Sequence, residues 1–171
     1  VAYDTDGAPT RAARAFADAE KLVSGYFHVG ESAFKQNRYD VKTLAYLDEH
    51  EIKDDAFAQL CKYSYRQPPD ETQRGRGEFE FYRICLQDNN ILDAVQRANP
   101  FIKLGPLMLY IAVHELIHVV RFARGEIDFH VAQEEKEKEE KVVHQLTQHA
   151  LRVARCKDMD LVLDCFSNHF I

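Results

Sequence analysis

Apolar residues recur at helical spacing in three long stretches of the chain. The alanine-rich segment Pro9–Ser24 repeats apolar side chains every three to four residues, which predicts a first helix. Residues 106–124 are largely apolar, start with Pro106, which suits the first turn of a helix, and are followed by Gly125, which suits its end. A further long helix is predicted from His130 to about Arg155, with Asp128 as its N-cap.

Shorter patterns fill the remaining chain. Residues 39–51 and 54–65 predict two more helices, the second because its acidic start favours a helix N-terminus. Residues 78–86 alternate between apolar and polar side chains, which predicts a strand. After a polar connection, the apolar run Ile91–Val95 predicts the second strand of a β-hairpin. Residues 158–170 predict a short C-terminal helix.

One stretch, Gln67–Gly77, is rich in turn-forming residues and predicts a surface loop open to cleavage. We find no internal repeat or flexible linker, so the sequence predicts a single domain over residues 1–171. Within it we expect a helical N-terminal region over residues 1–66 and a core over residues 78–155. The expected fold class is α+β, mostly helical, with a small antiparallel sheet or hairpin before the helix of residues 106–124.

Composition narrows the classes of partner. The chain is 46% apolar over 171 residues, which is enough for a packed core. Its net charge of −6 disfavours binding to nucleic acid or to an anionic membrane surface, so neither is an expected partner. The longest apolar stretch, Leu104–Val113, is too short to cross a bilayer. The first twenty residues lack a signal-peptide pattern, which predicts a cytoplasmic protein, although the start at Val1 leaves a removed leader open.

Four cysteines are present, and no two of them are separated by two residues. This spacing excludes a zinc ribbon and a CxxC redox site. An even number of cysteines allows a disulfide pair, but we expect buried free thiols. The oligomeric state is not indicated by the sequence.

The predicted helix of residues 106–124 contains an HExxH motif, His114-Glu115-Leu116-Ile117-His118. Histidines four residues apart share one face of a helix, so both imidazoles can reach one metal ion. Glu115 can then take a proton from a water molecule and later donate it to a leaving amine. A chain of this composition contains roughly 0.03 such motifs by chance. The competing interpretation is that neighbouring carboxylates or backbone groups satisfy two core histidines.

A metal held by two histidines needs a third protein ligand, which the acidic start of the next helix can supply. Glu139 projects onto the middle of the apolar stripe of that helix, and Glu135 lies one turn earlier. The other glutamates project away from the stripe: Glu134, Glu137 and Glu140. A carboxylate on a buried stripe needs a cationic partner. If the two helices turn back at residues 126–127, the histidines meet residues 137–138. We therefore expect Glu139 as the third ligand, with Glu135 as the alternative.

An HExxH motif followed by a glutamate on the next helix resembles the gluzincins, zinc metallopeptidases of the thermolysin-like group. The short chain is most similar to the minigluzincins, over about residues 78–155. The resemblance implies a zincin-like fold in which an edge strand of a sheet binds extended substrate above the metal. Either Ile91–Val95 or Phe79–Cys85 would be that strand. It also implies Zn²⁺ as the metal, His114 and His118 as ligands, and Glu115 as the general base.

The chain departs from the family pattern at two points. The family often places an Asp four residues after its ligand Glu, but Val143 follows Glu139 at that distance. Glu139 itself follows Glu135 at that distance, which favours Glu135 as the ligand. The family's downstream His or Tyr has no clear counterpart; His144 and His149 qualify only by position, and we expect both to be surface residues.

These observations predict a zinc-dependent endopeptidase acting on a peptide or protein substrate. The alternative is a proteolytically silent, zincin-like metal-binding or regulatory domain. A third class is a di-iron helical protein, because Glu115-x-x-His118 is also an ExxH motif. Such a site needs a second ExxH motif, and we find none after residue 125, since Lys141 precedes His144 and Leu146 precedes His149 at the required position.

Overall fold

The computed structural model describes residues 10–30, 33–36, 38–66, 78–98 and 100–167. The helices in these ranges are α1 (Arg11–Phe27), α2 (Ala33–Gln36), α3 (Asp88–Arg97), α4 (Leu104–Ala123), α5 (Gln133–Ala154) and α6 (Asp160–Cys165). The strands are β1 (Tyr39–Lys42), β2 (Ala58–Arg66) and β3 (Glu78–Leu86), and short 3-10 turns cover Leu44–Tyr46 and Glu49–Glu51. The protein is therefore a mixed α+β fold, as expected.

Helix α4 is the centre of the core, with every residue from Tyr110 to Val120 buried. Helix α1 packs along it through a stripe at helical spacing, formed by Ala15, Phe16, Ala19 and Val23. Helix α5 packs against another side of α4. By length and composition alone α4 could cross a membrane, but most of it is buried inside the fold, as in the core helix of a globular domain.

The sheet has the strand order β1-β3-β2, with β1 parallel and β2 antiparallel to the central strand β3. Strand β2 pairs with β3 along its full length, from Ala58 opposite Leu86 to Arg66 opposite Glu78. Alternate residues of β3 are buried in the main core: Tyr82, Ile84 and Leu86. The sheet is thus small, as expected, but mixed rather than purely antiparallel.

Two of the predicted N-terminal helices are wrong. Residues 39–51 form β1 and two 3-10 turns, and residues 54–65 contain most of β2. The acidic start of 54–65 favours a helix locally, yet eight backbone pairs between Ala58–Tyr65 and β3 hold the segment extended. Pairing with a strand some twenty residues away decides this segment, and a local pattern does not contain that information.

The predicted hairpin is also wrong in its second strand. Ile91–Val95 lies inside helix α3, while the first strand is confirmed as β3. The side chain of Asn90 in α3 donates hydrogen bonds to the backbone oxygens of Lys53, Asp54 and Ala56. This contact ties the start of α3 to the segment before β2. Short apolar runs are compatible with either a helix or a strand.

The three long helices α1, α4 and α5 are confirmed, with one difference at the start of α5. Its N-cap is Ala132 and not Asp128, whose Oδ1 instead accepts a hydrogen bond from the backbone N–H of His130 at 2.8 Å. Helix α6 confirms part of the predicted C-terminal helix, whose last residues, 168–170, lie outside the described residues. The predicted loop 67–77 lies outside them as well. All four cysteines are free, but only Cys85 is fully buried.

The face of the sheet opposite α4 carries a buried ionic network around Glu51. Its carboxylate is fully buried, accepts hydrogen bonds from the Tyr63 hydroxyl and the Asp48 N–H, and pairs with Arg83 at 3.1 Å. Arg83 also binds Asp40 on β1 at 2.9 Å. Burial by itself would raise the pKa of Glu51, but these donors outweigh it and lower that pKa to about 2. The network fastens the 3-10 segment to the sheet.

Replacing Glu51 with Gln should lower stability in a pH-dependent way. Because the folded-state pKa is depressed, the ionised carboxylate contributes stability above about pH 4.5, and this contribution is lost as the pH falls towards 2. We expect the Glu51→Gln variant to be less stable by about 2 kcal/mol at pH 7, and the difference from wild type to shrink at pH 3. Urea unfolding at both pH values measures the free energy of unfolding of each protein. The control is Glu137→Gln, because Glu137 is exposed. A difference that is equal at both pH values would contradict this account.

Candidate metal site

Helices α4 and α5 together build the site. Both histidines of the HExxH motif lie on the face of α4 that meets α5, and α5 runs back along α4 after a connection over residues 124–132. The turn is longer than the expected one at residues 126–127. The histidines consequently meet Glu140 rather than residues 137–138.

Three side chains converge on one point: His114, His118 and Glu140. The Nε2 atom of His114 lies 3.3 Å from Oε2 of Glu140, and that of His118 lies 3.3 Å from Oε1. One nitrogen or oxygen from each residue lies within 4.8 Å of the other two. Ligand atoms about 2.1 Å from a tetrahedral zinc ion are roughly 3.4 Å apart, so the two nitrogen–oxygen distances suit a shared metal.

The donor set also fits zinc chemically. Both histidine side chains are almost fully buried, while that of Glu140 is 40% exposed. The Nδ1 atoms of both histidines are buried, with no hydrogen-bond partner in the part of the chain that the structure describes. Two imidazoles and one carboxylate are ligands that zinc commonly takes in catalytic sites. The two histidines also hydrogen-bond to Glu140 and lower the pKa of its carboxyl group, although burial alone would raise it.

A pocket of about 240 Å³ opens over these residues. One wall is the N-terminal half of β2, including Ala58, Gln59 and Leu60. Another wall is apolar and comes from the end of α4 and the connection after it: Phe122, Ile127, Phe129 and Val131. The pocket thus places an edge strand, an apolar wall and the candidate metal donors around one space.

Glu115 lines the same pocket and is 6% exposed. Its burial raises the pKa of its carboxyl group to about 7, opposed by His114 and reinforced by Glu140. A pKa near neutrality suits a group that both accepts and donates a proton. A cation bound beside it would favour the ionised form and lower this pKa.

Glu139, the expected third ligand, is buried as expected but has a different partner. Its two carboxylate oxygens accept hydrogen bonds from the Arg121 side chain. Nε of Arg121 donates to Oε1 at 2.6 Å, and Nη2 donates to Oε2 at 3.0 Å. The cation that the sequence pattern required is therefore an arginine of α4. Glu135, the alternative ligand, is exposed. The structure brings Glu140 to the histidines instead.

The sequence analysis misplaced Glu140 because it located the buried face of α5 from apolar residues alone. The assumed stripe consisted of Val142, Val143, Leu146, Ala150 and Val153. Two of these residues are exposed, Val142 at 37% and Val153 at 63%. The buried face is partly polar and includes Glu139, His144 and Thr147 along with Val143, Ala150 and Leu151. Glu140 borders this face. In the sequence, Glu140 stands four residues before His144, so the two side chains share one side of the helix. This spacing was the signal that could have placed Glu140 beside the buried face.

His144 is buried, which contradicts the expectation that it lies at the surface, while His149 is exposed as expected. The substrate strands proposed from the family pattern also change. Ile91–Val95 is helical, and Phe79–Cys85 lies in the central strand, so neither is a sheet edge. The edge strand beside the histidines is β2.

Comparison with known proteins finds no family model that matches the sequence, no matching curated protein and no matching solved structure. The resemblance to gluzincins therefore rests on the HExxH motif and the chemistry of the residues around it.

Replacing Glu139 with Gln should destabilise the protein, because Arg121 is only 14% exposed and would lose a two-point ionic partner. We expect a loss of about 2 kcal/mol, limited because Glu126 also pairs with Arg121. Chemical denaturation of the metal-free protein measures the loss, and the matched control is Glu135→Gln on the exposed face. Equal stability of the two variants would contradict the structural role of Glu139.

Proposed function

We propose that this chain is a zinc-dependent peptidase of the zincin type. The main observation behind this proposal is that Nε2 of His114 and Nε2 of His118 each lie 3.3 Å from a carboxylate oxygen of Glu140. These three residues line one pocket together with Glu115. Glu140 replaces Glu139 in the proposed ligand set. The proposal includes a zincin-like arrangement of the motif helix α4, the glutamate helix α5 and a small sheet.

Each residue of the site has a distinct role in this proposal. His114, His118 and Glu140 hold the metal. When bound there, a zinc ion supplies Lewis-acid activation of water and of the substrate carbonyl. The Glu115 carboxylate accepts a proton from the attacking water and then passes it to the leaving amide nitrogen. The burial of Glu115 and its place in the pocket beside the two histidines support this role.

The edge strand supports a peptide as the substrate. Strand β2 pairs with β3 on one side, and no strand within the described ranges pairs with its other side. An extended peptide can add to such an edge through backbone hydrogen bonds. Because Ala58 and Leu60 of β2 line the pocket with Glu115, a peptide on this edge would pass close to the metal donors.

Zinc content is the first test of this proposal. Untagged wild-type protein should carry about one zinc per chain by elemental analysis, because two histidines and a carboxylate complete a zinc site. Glu140→Ala should lose most of the metal. Glu139→Gln is the matched control on the same helix and should retain it, because Glu139 binds Arg121.

Wild-type protein that takes up no zinc, even after incubation with excess metal, would overturn the proposal. Loss of zinc in Glu139→Gln with retention in Glu140→Ala would show that the ligand assignment is wrong. Two irons per chain would instead support the di-iron class.

Peptidase activity is the second test. Glu115→Gln keeps the size of the side chain but removes its ability to accept a proton. We expect the variant to retain zinc and to lose cleavage of a denatured protein substrate by at least about 100-fold, the usual contribution of a general base. Glu126→Gln, outside the pocket, should cleave like wild type.

Equal cleavage by wild type and Glu115→Gln would exclude Glu115 as the base. A zinc-loaded wild type without any cleavage would favour the silent metal-binding domain.

A further inference from the structure

A second polar contact between α4 and α5 lies one helical turn from the metal donors. Tyr110 precedes His114 by four residues, and His144 follows Glu140 by four residues. The Tyr110 hydroxyl and Nδ1 of His144 are 3.1 Å apart. Tyr110 is fully buried and His144 is 4% exposed. The same two helices that carry the donors are therefore joined by a buried hydrogen bond directly beside them.

The Tyr110 ring also contacts a proposed ligand. It stacks on the His114 imidazole, with ring centroids 6.5 Å apart and an angle of 23° between the planes. The hydroxyl group of Tyr110 is held by His144, so the tilt of its ring is restricted. A restricted ring in turn limits the rotation of the imidazole stacked on it.

This restriction matters because the part of the chain that the structure describes does not hold the His114 ring through its second nitrogen. A histidine that binds a metal commonly donates its second ring N–H to a carboxylate, a carbonyl or water, which fixes the ring. Nδ1 of His114 has no hydrogen-bond partner among the described residues. Packing against a fixed neighbour is a second means of aiming Nε2 at Glu140, and the Tyr110 ring supplies it.

We infer that Tyr110 is a positioning residue for His114, and that the hydrogen bond between the Tyr110 hydroxyl and Nδ1 of His144 holds Tyr110 in place. The inference rests on the proposed zinc site and assigns two residues to it that bind neither metal nor substrate. Through stacking and one hydrogen bond, Tyr110 and His144 take the place of the orienting hydrogen-bond partner that Nδ1 of His114 does not have among the described residues.

The protein contains a matched control for this pair. Tyr26 and His149 form the same type of contact, with the hydroxyl 2.7 Å from Nδ1, and His149 also lies on α5. That contact is solvent-exposed, and His149 lies nine residues beyond Glu140, towards the C-terminal end of α5. Tyr26→Phe therefore removes an equivalent hydroxyl without touching the donors.

The test measures zinc affinity by competition with a chromogenic chelator, together with the thermal unfolding midpoint of each metal-free protein. We expect Tyr110→Phe to bind zinc about tenfold more weakly than wild type, as for other outer partners of metal ligands. Tyr26→Phe should bind zinc like wild type. His144→Leu should weaken binding to a similar extent as Tyr110→Phe, and His144→Asn, which keeps an acceptor for the Tyr110 hydroxyl, should restore most of the affinity.

Zinc affinity in Tyr110→Phe equal to that in Tyr26→Phe would overturn the inference and leave the proposed function standing. If Tyr110→Phe does not fold, the comparison of His144→Leu with His144→Asn decides, and equal affinity of those two would overturn it. Wild-type protein that binds no zinc would overturn the proposed function and the inference together.

Discussion

Polar groups on a buried apolar helix are the constraint on which the rest of this structure depends. Helix α4 is surrounded by the core, yet it carries His114, Glu115 and His118 at positions no more than 6% exposed. Burying such groups without partners costs several kcal/mol. The partner of the two histidines comes from α5, which lies across the same face of α4 and supplies Glu140. The packing of α5 on α4 therefore stabilises the core and creates the site at once.

Two adjacent glutamates of α5 divide these tasks. Glu139 binds Arg121 nearer the connecting turn, and Glu140 faces the histidines. Consecutive residues on a helix point about 100° apart, so neighbouring carboxylates reach different parts of α4. The Arg121–Glu139 pair contributes to the packing of the two helices near the connecting turn. Glu140 lies one residue further along α5 and is placed between His114 and His118 by the packing of the two helices as a whole.

The order of the strands in the sheet decides what the sheet contributes to the candidate site. Placing β3 in the centre leaves β2 at an edge beside the histidines, with Ala58 and Leu60 lining the pocket. The buried network of Glu51 and Arg83 covers the opposite face and ties the segment before β2 to the sheet. This arrangement supports the proposal of an extended peptide bound along β2.

The sequence by itself determined the features that depend on neighbours within one helix. The periodicity of α1, α4 and α5, and the placement of His114, Glu115 and His118 on one stretch of helix, arise from spacing along the chain. Tertiary structure alone decided β2, α3 and the partner of each glutamate. Strand β2 exists through pairing with β3, and the choice between Glu139 and Glu140 follows from the length of the connection and the partly polar face of α5. Contacts between distant segments set these features, so no local pattern specifies them.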